Sequence, residues 1–135
     1  MKYKVGIVCS QYNAEYTDGL LASAEKELIQ HEVKVLRVPG AFEIPFVLAK
    51  LAKKKYDALI ALGLIWQGQT DHARLIAEEC ARACMTIGLQ YEVPVIFEVL
   101  TVQNAAQARA RCCGKKMNRG AEAARTALAM AQLNV

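Results

Sequence analysis

The turn Gln67-Gly68-Gln69 runs into the longest helical stretch of the chain, which opens on Thr70-Asp71-His72. Glycine permits close backbone approach, and the free N–H groups and positive dipole end of a helix favour an anion. Thr70 adds a hydroxyl donor and serves equally well as a helix N-cap. His72, one of two histidines, falls in the first helical turn beside any anion bound there. An imidazole titrating near neutrality can give and take protons there, although a solitary histidine is also compatible with a structural role. Tyr12, in the polar turn Ser10-Gln11-Tyr12-Asn13 after an apolar run, can stack on a planar ring, or be an ordinary half-buried tyrosine. Glu43, within Val38-Pro39-Gly40-Ala41-Phe42-Glu43-Ile44-Pro45, can complement a helix dipole or accept hydrogen bonds from ligand hydroxyls. An aromatic, a carboxylate, a histidine and an anion site suit condensation or isomerisation of a small phosphorylated substrate.

Other chemistries lose their main support. The sequence contains no Walker A motif, and no G-x-G-x-x-G, H-E-x-x-H or G-x-S-x-G, which removes nucleotide hydrolysis, dinucleotide redox chemistry, zinc proteolysis and serine hydrolysis. Five cysteines, Cys9, Cys80, Cys84, Cys112 and Cys113, include no C-x-x-C pair. A reducing compartment therefore fits better than a disulfide framework. Cys80 and Cys84 have helical i, i+4 spacing but no second ligand pair, so they read as small apolar helix residues and no metal is expected. The net charge is +4, and Arg109, Arg111, Lys115, Lys116, Arg119 and Arg125 crowd one segment. That segment suits an acidic partner, whether phosphate, nucleotide or nucleic acid, or is simply a solvated helix face.

With 135 residues, 54% hydrophobic and 22% charged, the chain reads as a single domain over 1–135 with a core of its own. No apolar run reaches the roughly 18 residues that span a bilayer. Met1-Lys2-Tyr3-Lys4-Val5 lacks the pattern of a secretory signal, so a soluble, cytoplasmic protein is expected.

Four strands must carry these residues. Lys4–Cys9, Val33–Val38 and Pro94–Leu100 read as short strands, and Asp57–Gly63 as one with a nearly continuous apolar core, covered on both faces. Helices are expected over about 14–30, after Pro39-Gly40 with apolar Phe42, Phe46, Val47 and Leu51, over about 70–90, and over 104–113 and 118–132. Strands alternating with helices imply parallel pairing, hence a flavodoxin-like three-layer α/β/α sandwich around a four-stranded parallel sheet. Ligands of such sheets bind beyond the carboxyl ends of the strands, which directs attention to the loops after Cys9, Val38, Gly63 and Leu100.

At those loops the sequence resembles the 6,7-dimethyl-8-ribityllumazine synthases. Val38–Pro45 resembles their V-P-G-[AS]-[FW]-E-[IL]-P, and Gly63–His72 their G-x-x-I-x-G-x-T-x-H with Trp66 at the isoleucine. Pro94-Val95-Ile96-Phe97 resembles P-[IV]-x-F, and Asn118–Ala124 resembles N-[KR]-G-x-E-A-A. The resemblance implies condensation of 5-amino-6-(ribitylamino)uracil with 3,4-dihydroxy-2-butanone 4-phosphate, without metal or organic cofactor. It implies that Tyr12 stacks on the pyrimidine and that Ala41, Phe42 and Glu43 hold the ribityl chain and ring edge. Leu64, Ile65 and Trp66 contact the ring mainly through backbone groups, Gln69, Thr70 and Arg111 bind the phosphate, and His72 transfers protons. Phe97 covers the ring from a neighbouring subunit, and Arg119 takes the basic position of its motif. Homopentamers, in some members built into sixty-subunit shells, are implied as well. The basic segment then has a small-molecule explanation and needs no nucleic acid.

Several residues depart from the family pattern. Trp66 is bulky, Glu98 stands where a small residue is common, and Ala73-Arg74 replaces the usual aromatic and acid after the histidine. Asp71 is the nearest acid to orient His72. These departures leave a catalytically weak or inactive structural pentamer or shell component of the same fold as the alternative. An archaeal-type riboflavin synthase is disfavoured, because its reaction uses no phosphorylated four-carbon substrate.

Overall fold

A computed structural model describes residues Met1–Val135. The strands are β1 (Lys4–Ser10), β2 (Glu32–Val38), β3 (Ala58–Trp66) and β4 (Val95–Val102). They pair in the order β2-β1-β3-β4, parallel throughout. This is the flavodoxin-like order without a fifth strand, and it places the topological switch between β1 and β3. The helices are α1 (Ala14–Glu27), α2 (Ile44–Ala52), α3 (His72–Tyr91), α4 (Ala105–Cys113) and α5 (Arg119–Ala131), with a 3₁₀ turn at Ala41–Glu43.

The two-residue period of β3 divides its side chains between two cores. Ala58, Ile60, Leu62 and Leu64 join Leu20, Ala108, Ala123 and Ala127 of α1, α4 and α5. Leu59, Ala61 and Ile65 join Ile44, Leu48, Cys80 and Ile87 of α2 and α3. Hence the sandwich has three layers, and the central strand is apolar almost without interruption because neither face meets water. On the α1 side, Gly120 lets α5 cross α1 closely: a Cβ there would collide with the Leu20 carbonyl oxygen.

Two boundaries differ from expectation in ways that matter for the ligand site. β3 does not stop at Gly63; it continues through Leu64, Ile65 and Trp66, which pair with Leu100, Thr101 and Val102. The ladder extends further still, as the Gln67 N–H donates to the Val102 carbonyl at 2.8 Å. The connection to α3 therefore starts from a residue anchored on the sheet. On α2, Pro45 occupies the first turn, where its missing N–H is no loss. Phe42 consequently lies before the α-helix, in the 3₁₀ turn. The buried face of the helix is Ile44, Leu48 and Leu51, while Phe42 and Phe46 stand exposed. No helix is long and apolar enough to cross a membrane.

Candidate active site

Beyond the carboxyl ends of β1 and β3 lies a cleft of about 480 Å³. Its floor is strand: Leu64 and Ile65 are buried at the end of β3, and Trp66 is partly exposed beside them. One wall comes from the segment after β1. The ladder between β1 and β2 runs on past both strands, with Gln11 N–H donating to Val38 O at 2.7 Å and Tyr12 N–H to Pro39 O at 2.9 Å. These bonds fix the Tyr12 backbone while its side chain stays 72% exposed, free to cover a planar ligand.

The opposite wall is the 3₁₀ turn Ala41–Glu43. Ala41 is anchored from behind, where the buried Cys80 thiol donates to its carbonyl at 3.5 Å. Glu43 folds back over Gly40, and its Oε1 lies 3.1 Å from where a Cβ on that glycine would stand. A side chain at position 40 would make the carboxylate give by a few tenths of an ångström. No three His, Cys, Asp or Glu side chains converge as a metal-binding group. Burial pushes the Cys9 thiol up to about 11 and the Cys112 thiol to about 12, so neither is a thiolate nucleophile near neutrality.

The third side is the start of α3. The helix begins at His72 rather than Thr70, with Asp71 at the cap position but making no side-chain cap bond. Instead the Thr70 hydroxyl accepts the His72 N–H at 3.3 Å. The next N–H groups of the first turn, on Ala73 and Arg74, have no protein acceptor, so they and the dipole remain available to an anion. His72 is exposed at the cleft. The expectation that Asp71 orients it fails: the Asp71 carboxylate pairs with Arg74 at 3.2 Å. Arg74 stands one helical turn on, at the i, i+3 spacing that lets the two side chains meet.

Tyr12, Ala41, Phe42, Glu43, Leu64, Ile65, Trp66, Thr70 and His72 all line this one cleft. Gln69 does not, although the residues on either side of it, Gly68 and Thr70, do. Phe97 and Arg111 are elsewhere. Phe97 lines a second cleft with Met85, Leu89, Val95 and Met130 between α3 and β4. Arg111 sits in the last turn of α4, in the helical layer on the other face of the sheet. Arg119 is held by two carboxylates, Glu98 and Glu122, each at 3.3 Å. The sequence reading gave no ligand contact to four other cleft residues: Asn13, Gly40, Ala73 and Ile76. Ile76 was accessible to it, because i, i+4 from His72 shares a helix face.

The chain matches the family model described as 6,7-dimethyl-8-ribityllumazine synthase over residues 2–134. The chain belongs to this family. Curated lumazine synthases from three Coxiella burnetii strains, Dugway 5J108-111, CbuG_Q212 and RSA 493 / Nine Mile phase I, are each 39% identical to it. Each match covers 97% of this chain and 91% of the relative. A de novo designed Rossmann fold protein is similar over 98% of this chain and 100% of its own, at 17% identity and a TM-score of 0.45. For a lumazine synthase family member, the cleft between β1 and β3 has one notable feature. Its lining includes neither Arg111 nor Phe97, the arginine and phenylalanine that the family resemblance assigns to the site.

Proposed function

We propose that this chain is a 6,7-dimethyl-8-ribityllumazine synthase that condenses 5-amino-6-(ribitylamino)uracil with 3,4-dihydroxy-2-butanone 4-phosphate. The observation that carries the proposal is the convergence of Tyr12, Glu43, Thr70 and His72 on one cleft at the switch point of the sheet. A planar ring covered by Tyr12 extends a polyhydroxyl chain toward Glu43, whose carboxylate accepts hydroxyl hydrogen bonds. The phosphate of the second substrate meets the unpartnered N–H groups of α3, with Gln69 and Thr70 at the rim. The dipole end stabilises the phosphate both bound and departing.

His72 lies between these two positions and serves the proton transfers. Attack of the pyrimidine 5-amino group on the ketone, with loss of water, forms the imine. Phosphate elimination then follows, and ring closure by the ribitylamino nitrogen with loss of a second water completes the lumazine. Imine chemistry is feasible in water, so most of the acceleration comes from holding two reactants in register.

Phe97 and Arg111 lie outside the cleft of their own chain, so we assign them to the cleft of an adjacent subunit, with Phe97 over the ring and Arg111 on the phosphate. Exposed Phe42 and Phe46 on one surface and Met85 and Leu89 on another suit a head-to-tail contact that closes a ring. We propose a homopentamer working in the cytoplasm; a sixty-subunit shell is the further assembly open to it. Formation of the lumazine chromophore by purified protein from the two substrates, with no metal added, tests the reaction. Its appearance, and its loss when the butanone phosphate is omitted, is the expected result. Absence of chromophore from a folded, assembled protein overturns the proposal.

A further inference from the structure

The polar turn after β1 contains one residue to which the reaction gives no task. Asn13 has φ 64° and ψ 42°, the left-handed region, which asparagine tolerates better than most residues. Its carboxamide reaches across to β3 and makes two bonds there. Nδ2 donates to the Leu64 carbonyl at 2.9 Å, and Oδ1 accepts the Trp66 indole N–H at 3.0 Å. A carbonyl can only accept and an indole N–H can only donate, so the orientation of the amide is fixed by its partners. Aspartate would serve the indole but not the carbonyl.

Trp66 is held on its other flank by Tyr16, which is 7% exposed, in an edge-on contact with centroids 5.6 Å apart and planes at 79°. The indole thus stands at the mouth of the cleft with 36% of its surface open and its only polar atom occupied. A tryptophan serving the core alone would be covered. This one presents an apolar edge to the cleft, in a geometry that Asn13 sets.

We propose that Asn13 is a positioning residue: it clamps Trp66 and the Leu64 carbonyl into a fixed part of the cleft floor, which receives the pyrimidine ring. The inference rests on the pyrimidine-binding reading of the cleft and adds to it a residue that acts through another. It also gives the bulky Trp66 a function, since an indole locked this way narrows the ring site rather than blocking it.

Trp66 is the only tryptophan in the chain, so its fluorescence reports on this clamp. Asn13→Gly keeps the left-handed backbone free of strain and removes both side-chain bonds. Asn13→Asp keeps the acceptor for the indole and removes the donor to Leu64. In Asn13→Gly, acrylamide should quench Trp66 more strongly than in the parent. KM for the pyrimidine should rise about tenfold, the worth of roughly one hydrogen bond, with kcat and KM for the butanone phosphate nearly unchanged. Asn13→Asp should keep parent-like quenching and show a smaller rise in KM. Parent-like quenching and KM in a folded Asn13→Gly would overturn the proposal, as would equal loss in kcat and in affinity for both substrates. If the parent forms no lumazine, the reaction proposal falls separately. Quenching of the unliganded variants, and titration of the pyrimidine against Trp66 emission, then decide the role of Asn13.

Discussion

His72 lines the cleft, yet no carboxylate holds its ring, because Asp71 is engaged by Arg74. Within the chain, the imidazole is therefore positioned by the start of α3 alone. Replacing it should remove proton transfer and leave the ring site intact. His72→Ala is expected to lower kcat by about 10²-fold, the lower end of what general acid–base catalysis contributes, with pyrimidine affinity within about twofold. Steady-state kinetics together with direct titration of the pyrimidine checks this, and turnover equal to the parent would remove His72 from the mechanism. The histidine, the threonine and the glutamate were legible from the sequence because each stands in a short local pattern at the end of a strand. Asn13 was not. Its partners lie 51 and 53 residues away in sequence, and nothing local marks an amide that will bridge to another strand.

β4 carries a charge into the layer between the sheet and α5. Glu98 is 6% exposed and receives a hydrogen bond from Arg119 Nε at 3.3 Å. Burial raises its pKa above the ordinary carboxylate value, and the Arg119 charge and hydrogen bond only partly offset that. With the folded-state value above the unfolded one, the folded chain holds this proton more tightly. The stabilisation is complete below the unfolded pKa and is lost as pH rises through the folded one. Glu98→Gln keeps an acceptor for Arg119 but cannot ionise. Its urea midpoint, measured against the parent at one fixed protein concentration, should gain on the parent as pH rises from about 4.5 and then level off. Parallel curves across that window would contradict the assignment. Among the elements, order and type could be read from hydrophobic periodicity, but the end of β3 could not. Gly63 resembles a strand terminus in sequence. It lies between Ser10, Val99 and Ile44 instead, with β4 carrying the ladder on to Gln67.

On the proposed reading, a single chain builds one part of a two-substrate site and carries the remaining pieces elsewhere on its surface. Tyr12, Glu43, Thr70 and His72 share a cleft, while Phe97 lies on a second, mostly apolar cleft and Arg111 on α4. The family resemblance assigned Phe97 to a neighbouring subunit from the start, but it left open which copy of the chain supplies Arg111. For that residue the information lies in three dimensions, in which residues a single chain brings to one place. Active sites shared around a closed ring predict that two differently damaged chains repair one another. His72→Ala spoils the cleft of its own chain, and Arg111→Ala spoils what a chain lends to its neighbour.

Co-assembly of His72→Ala and Arg111→Ala chains in equal amounts, assayed for lumazine formation at low butanone phosphate, tests this account. About a quarter of the clefts in a randomly mixed ring should carry both an intact His72 and a neighbour's intact Arg111. The mixed assembly should then exceed either variant alone and approach a quarter of the parent rate. A mixed assembly no more active than the average of its two components would contradict an active site completed by the adjacent subunit.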